Sequence, residues 1–185
     1  MAGRRTDTKD RIQQVALELF AERGYEQTTL QEVAERLEIT RPALYYHFRT
    51  KEAILASVVE GLLSSLEELV EWGREQPRTP EARREILRRI GELLEDQWQP
   101  LVKFAQVNQG VMQEIPTGER MRAEMLKMVS LLEVPGASPV RRFEARLAVV
   151  AVIMGSVAFP IDMDVPESER QAVAMEVAMK LISED

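Results

Sequence analysis

Residues 28–51 read TTLQEVAERLEITRPALYYHFRTK. Leu30, Val33, Ala34 and Leu37 form an apolar stripe at helical spacing. Either Thr28 or Thr29 can cap its start, each with a capping-box partner three residues on, Gln31 and Glu32. The small Ala34 suits a point where a second helix approaches closely. Glu38, Ile39 and Thr40 make a turn, with Ile39 plugging the angle between the two helices. Thr40 caps the second helix, whose Pro42 lies in the first turn, where a missing N–H costs nothing.

Steps of about 100° per residue place Leu44 and Phe48 together on the core face of that second helix. Pro42 and Tyr46 project on the far side. Arg41, Tyr45 and Arg49 run down one flank, and Ala43 and His47 occupy the other. A helix pressed into a DNA major groove needs this arrangement: small or polar groups at its tip, and donors on both flanks that reach phosphates. Arg41 and Tyr46 are then the candidates for base-edge or groove-floor contact. Ala43 can meet a thymine methyl, and Pro42 sets the approach of the tip. An ordinary αα-hairpin with a solvated face also fits the spacing, because helix-turn-helix shapes occur in proteins that never touch DNA.

The wider pieces ALELFAERGYEQTTLQEVAERL (16–37) and ITRPALYYHFRTKEAIL (39–55) go further. The L-Y-Y-H-F-x-x-K-E run follows a Gly-Tyr and a Thr-Thr, and the segment from about Thr8 to Ala56 resembles the DNA-binding domain of the TetR (tetracycline-repressor-like) family of bacterial transcription regulators. The resemblance implies an all-α, nine-helix fold, with a three-helix DNA-binding domain over 1–51 and an effector-binding and dimerisation domain over 52–185. It implies a homodimer on a palindromic double-stranded operator, most relatives being repressors. By matching positions of the family motif, Tyr45, His47, Lys51, Thr28 and Thr29 are implied as phosphate contacts. The family commonly has Gly at the turn position filled here by Glu38. A left-handed backbone there costs a non-glycine residue on the order of 1 kcal/mol.

The chain has 185 residues, 45% of them hydrophobic, which suffices for one domain or for a small domain fused to a larger one. Cysteine is absent, which excludes disulfides and thiolate ligands. The start, MAGRRTDTKDR, is charged and shows no signal-peptide pattern. The longest uncharged run, Leu147 to Ile161, is too short to span a bilayer. A cytoplasmic protein with no membrane partner is expected.

Net charge is −7, unhelpful for a nucleic-acid binder, but it is unevenly spread. Residues 1–51 hold nine Lys or Arg against eight Asp or Glu, and the remainder fifteen against twenty-three. Arg4, Arg5, Lys9, Arg11, Arg41, Arg49 and Lys51 supply the local positive charge. Affinity for DNA should therefore be modest and strongly salt-dependent.

In chain order, Met1 to Arg5 reads as a basic arm or a disordered terminus. A first helix follows from about Thr6 to Arg23, with Ile12, Val15, Ala16, Leu19 and Phe20 buried and Gly24 ending it. Thr50 caps a fourth helix, Lys51 to about Trp72, with Ile54, Leu55, Val58, Leu62, Leu66 and Leu69 inward. Thr79-Pro80 opens a fifth, which Pro100 interrupts. A sixth is expected over about Pro100 to Glu114, and a seventh carries Met121, Met125, Met128 and Leu132. Ser138-Pro139 opens an eighth, apolar on nearly every face after Arg146. A ninth runs from about Glu167 to Ile182.

The lone histidine, His47, lies in the candidate recognition helix, so histidine-based triads and metal sites are excluded and no enzyme is expected. Asp162, Asp164 and Glu167 could hold a cation but more often solvate a turn. No metal or other cofactor is expected. A cavity in the larger domain, implied by the resemblance, would lie among Phe104, Asn108, Gln109, Met112, Met121, Met125 and Met128. Those methionines serve equally as core filler. A small, mainly apolar effector is expected there, pushing on the fourth helix, which is long enough to belong to both domains. The run from Leu147 to Phe159 in the eighth helix has too little polar surface for one solvent face, and the ninth helix, with small Ala174 and Ala178 beside Val173 and Val177, is its natural partner. Val150, Met154, Val157, Val173, Ala174, Val177, Ala178 and Leu181 are the expected dimer surface, unless both helices are buried in a monomer core. Two other classes remain open: a DNA-binding regulator without a small-molecule effector, controlled by a partner protein or abundance, and an all-helical enzyme or interaction module.

Overall fold

In the computed structural model, which describes residues 3–95, 100–101, 104, 107–108, 118–156 and 165–183, eight helices follow one another. They are α1 (Gly3–Arg23), α2 (Leu30–Arg36), α3 (Arg41–His47), α4 (Lys51–Glu75), α5 (Pro80–Leu93), α6 (Gly118–Ser130), α7 (Pro139–Ser156) and α8 (Glu167–Ser183). Among the described residues there is no strand. The further helix expected over Pro100–Glu114 falls largely outside them, with Pro100, Leu101, Phe104 and Val107 helical. Helix α1 begins at Gly3 and so takes in Arg4 and Arg5, which the sequence reads as part of a basic arm or a disordered terminus.

Threonine writes several of the helix starts. Thr29, Thr40 and Thr79 each accept a backbone N–H three residues on, opening α2, α3 and α5. Gly24 closes α1 with φ +90° and its N–H on the Phe20 carbonyl.

The chain divides into two units: Met1–Leu62 with Pro100–Gly118, and Leu63–Gln99 with Glu119–Asp185. The boundary expected at 51/52 therefore shifts. The opening turns of α4 belong to the first unit, where Ile54, Leu55 and Val59 are buried and Ser57 accepts a 2.9 Å bond from Gln13 of α1. Val59, not Val58, takes the fully buried position. The first unit is centred on Ile12, Leu19, Phe20, Val33, Leu44, Ile54 and Phe104, with Phe20, Tyr25 and Phe104 in mutual edge or tilted ring contact.

In the second unit, the rest of α4 with α5, α6, α7 and α8 encloses a core of Leu66, Leu87, Ile90, Met128, Leu132, Ala148, Val152 and Ala178, among others. Helix α8 lies along α7 and against α5. At Gly155 of α7 a methyl group would meet the Cβ of Ala174, the Gln171 side-chain oxygen and the Arg170 carbonyl, so the two helices leave no room for a side chain there.

Candidate nucleic-acid interface

The turn between α2 and α3 is built from backbone. The Ile39 N–H bonds the Ala34 carbonyl at 3.0 Å and the Glu38 N–H bonds the Glu35 carbonyl at 3.1 Å. This pair of bonds is the Schellman arrangement, and it requires a left-handed residue between helix and turn. Glu38 supplies it at φ +55°, the position where the family resemblance expects glycine. A capping box locks the start of α2: Thr29 N–H and hydroxyl both bond a Glu32 carboxylate oxygen at 2.8 Å. Those bonds, the backbone one first, and the Arg23 guanidinium beside it hold the Glu32 carboxyl below its ordinary value.

Helix α3 is two-sided. Leu44 has no exposed surface and Phe48 is buried, while Arg41, Pro42 and Ala43 are exposed and Tyr46 is 66% exposed. The Arg41 guanidinium lies 5.1 Å from the centre of the Tyr45 ring and donates Nη2–H to its hydroxyl at 3.2 Å. Tyr46 and His47 meet edge to face at 5.3 Å. The structure thus brings Arg41, Pro42, Ala43, Tyr45, Tyr46 and His47 onto one short helix, with Thr29 exposed at the start of α2.

Three sequence expectations change. Thr28 is only 1% exposed, and its hydroxyl donates to the carbonyls of Gly24 at 2.9 Å and Leu19 at 3.3 Å, so it ties the α1–α2 loop and cannot reach a phosphate. Arg49 does not continue the flank of Arg41 and Tyr45, because Phe48 is extended (φ −139°) and α3 stops at His47. Lys51 turns inward: its ammonium donates to the Tyr25 carbonyl at 2.6 Å and the Glu26 carbonyl at 3.4 Å and sits 4.5 Å over the Tyr25 ring. One of its three donors remains for a phosphate.

Phe104 and Asn108 move from the expected effector cavity to the first unit. Phe104 is wholly buried beside Phe20 and Tyr25. Asn108 accepts the Tyr25 N–H at 2.9 Å and donates to the carbonyls of Phe20 (3.2 Å) and Phe104 (3.0 Å). Around the same loop, Tyr25 donates its hydroxyl to Glu52 at 2.9 Å. Met128 is buried in the core of the second unit, and Met121 and Met125 pack against that core. Gln109, Met112, Asp162 and Asp164 lie outside the described residues. Among the described residues no three His, Cys, Asp or Glu side chains are grouped to hold a metal, and no helix is long and apolar enough to cross a membrane.

Of the expected dimer surface, Val150, Val173 and Val177 are exposed, and Met154 and Ala174 are half-buried beside a shallow apolar depression. Ala178 is a correction: it is 0% exposed, sealed in the core of its own unit, and Leu181 packs against that core. Val157 lies outside the described residues. Outside the expected set, Val140, Phe143 and Leu147 on α7 are also exposed, Phe143 at 61%. With Val150 and Met154 they repeat at intervals of three, four, three and four residues, a helical stripe legible in the sequence.

The model of the family described as bacterial regulatory proteins, tetR family, matches residues 12–58. An uncharacterized HTH-type transcriptional regulator of Bacillus subtilis, YerO, is 43% identical over 54 residues, 29% of this chain and 19% of that protein. The HTH-type transcriptional repressor KstR2 of Rhodococcus jostii is 36% identical over 85 residues, 44% of this chain and 40% of that protein. The chain thus spans less than half the length of these curated relatives. Among solved structures, the TetR family transcriptional regulator PfmR from Thermus thermophilus superposes with TM-score 0.65 at 21% identity, covering 94% of this chain and 95% of that one.

Proposed function

We propose that this chain, whose residues 12–58 match the model of the tetR family of bacterial regulatory proteins, is a dimeric DNA-binding transcription regulator, a repressor that reads a palindromic operator with α3. The family is one of DNA-binding transcription factors, not enzymes. The observation that carries the reading is the sidedness of α3, with Leu44 sealed inside and Arg41, Pro42, Ala43 and Tyr46 turned to solvent. Seven residues of helix are about 10 Å long, short enough to seat end-on in a major groove. Arg41 and Tyr46 meet base edges, Ala43 a thymine methyl. Tyr45, His47, Thr29 and the remaining donor of Lys51 hold phosphates.

A palindrome needs two readers held by two-fold symmetry. The seam Val140, Phe143, Leu147, Val150 and Met154 on α7, beside Val173 and Val177 on α8, is too apolar to stay in water and supports a four-helix interface between two copies. Release of DNA is assigned to a small, mainly apolar effector in the second unit. Helix α4 runs unbroken from Lys51 to Glu75. Displacing its later turns would move its first turn, next to α3, and a preference of about 1–3 kcal/mol for the displaced state is sufficient. A specific observation favours a second reading, regulation without an effector: Met121, Met125 and Met128 fill or line a packed core.

A gel shift on a palindromic duplex, repeated at rising salt, tests the first part. Binding should demand both half-sites and weaken steeply with salt; indifference to duplex symmetry would sink it. Native mass spectrometry of the purified dimer separates the two modes of control. A bound small molecule supports an effector. If none rides along, and Met125→Trp lowers stability sharply instead of leaving a folded, DNA-binding dimer, the effector reading fails.

A further inference from the structure

Two of the groups assigned to phosphates, Lys51 and Thr29, depend on one loop. The Tyr25 carbonyl accepts the Lys51 ammonium at 2.6 Å and the Thr28 N–H at 3.3 Å, and the Glu26 carbonyl accepts the same ammonium at 3.4 Å. Thr28, its hydroxyl tied back to Gly24 and Leu19, leads directly into Thr29 at the start of α2. The Tyr25 ring lies 4.5 Å beneath the ammonium. The place of Tyr25 therefore decides where the remaining donor of Lys51 points.

A lysine that is mobile before binding loses rotamer freedom when it meets a phosphate, and the loss weakens affinity. Here the ammonium is held before DNA arrives, provided that Tyr25 is held. The Tyr25 ring meets Phe20 at 5.0 Å and Phe104 at 6.0 Å, and its N–H donates to the Asn108 side-chain oxygen at 2.9 Å. The Asn108 amide is itself oriented by donating to the carbonyls of Phe20 at 3.2 Å and Phe104 at 3.0 Å. Exchanging its oxygen and nitrogen would set donor against donor and acceptor against two acceptors, so the oxygen faces Tyr25. Asn108 lies on Pro100–Gly118, a segment of the first unit flanked on both sides by chain of the second.

We infer that Asn108 is a positioning residue for DNA binding: through Tyr25 it holds the Lys51 ammonium and the start of α2 in place for phosphates. The inference rests on the DNA-binding reading above. Phosphate contacts act on any sequence, so the full chain is titrated at low salt into a labelled, mixed-sequence duplex, with melting curves showing that each variant is folded at the assay temperature. Asn108→Ala and Lys51→Met should each weaken binding about tenfold. Together they should lose little more than either alone, because both remove the same placed ammonium. Ile12→Val, which takes a methylene from the core of the same unit, should leave affinity unchanged, so lost stability alone does not produce the effect. Asn108→Leu, of like volume and without the acceptor, replaces the alanine variant if that chain does not fold. Unchanged affinity in the folded Asn108 variant, or losses that multiply in full in the double variant, overturns the inference and leaves the DNA-binding reading standing. An unaltered chain that binds no duplex overturns both.

Discussion

Tyr25 donates its backbone N–H to the Asn108 side-chain oxygen at 2.9 Å, across 83 positions of sequence. The same amide returns two bonds to the carbonyls of Phe20 and Phe104. One side chain thereby stitches the α1–α2 loop to a segment from the middle of the chain. That loop also carries Thr28 and leads directly into the capped start of α2, so its geometry sets where the reader begins.

Asn108→Ala should therefore destabilise the first unit. It removes the side-chain acceptor of the Tyr25 N–H and the second of two donors to each of the Phe20 and Phe104 carbonyls, which keep their backbone bonds, at a cost of about 1–3 kcal/mol. Chemical denaturation followed by Tyr25 hydrogen exchange checks this; an unchanged midpoint and unchanged protection would contradict it.

Glu38→Gly should stabilise the fold. The residue sits at φ +55°, where a side chain is strained, and glycine relieves that strain at some cost in unfolded-state entropy. The expected net gain is about 0.5–1 kcal/mol, whereas Glu38→Val, β-branched, should lose about 1–2 kcal/mol. Thermal melting of the two variants, side by side, gives the sign.

Much of this reader was legible in its residues. Thr40 and Pro42 announce the start of α3, Gly24 the end of α1, and the spacing of Leu44 and Phe48 the buried face. What periodicity could not show is where a helix stops short or what a buried face touches. Arg49 continues the α3 pattern on paper, but Phe48 turns extended to reach the core. Thr28 and Thr29 are equivalent as caps until a loop bonds the hydroxyl of the first. Ala174 and Ala178 share a stripe, yet only the second is sealed inside its own unit. Asn108 needed a partner 83 residues away, a relation that no local pattern carries.

On DNA, Arg41 and Tyr45 should separate by kind of contact. Arg41→Ala should relax preference at one base position per half-site, at a cost of about 1–3 kcal/mol. Tyr45→Phe removes the hydroxyl that Arg41 holds and should weaken binding to every sequence alike. Affinities for an operator and its single-base variants decide; equal loss across all variants for Arg41→Ala would demote it to a backbone contact.

The α7–α8 pair offers two distinguishable lesions. Gly155→Ala would place a methyl against Ala174 and a backbone carbonyl, and should destabilise by about 1–3 kcal/mol by forcing the helices apart. Val177→Arg alters a side chain 46% exposed, so the fold should persist while the dimer separates. Analytical ultracentrifugation with thermal melting tells the two apart. A Val177→Arg chain that remains dimeric would move the interface elsewhere.

Acid should loosen the reader through Glu32 and Glu52, whose carboxyls both lie below the ordinary 4.5 in the folded chain. Thr29 chiefly lowers the first; the second owes its shift to its own backbone N–H, then Thr50 and Tyr25. Lowered folded values mean that the unfolded chain takes up protons first. The stabilisation is complete above the ordinary value and lost as pH falls through the lowered ones. Glu85, held down to about 2 by Arg88 and Arg89, adds its own slope in the second unit. The readout is therefore the difference: Glu32→Gln with Glu52→Gln should flatten the acid limb of the denaturation midpoint relative to the unaltered chain.

Selection of bound duplexes from a random-sequence DNA pool tests the central claim most directly. The account predicts enrichment of a two-fold symmetric site whose half-sites are spaced for two α3 helices on one dimer, with enrichment lost on Val177→Arg and one base position blurred on Arg41→Ala. No enrichment at low salt, or an asymmetric site bound equally well by the Val177→Arg monomer, would contradict it.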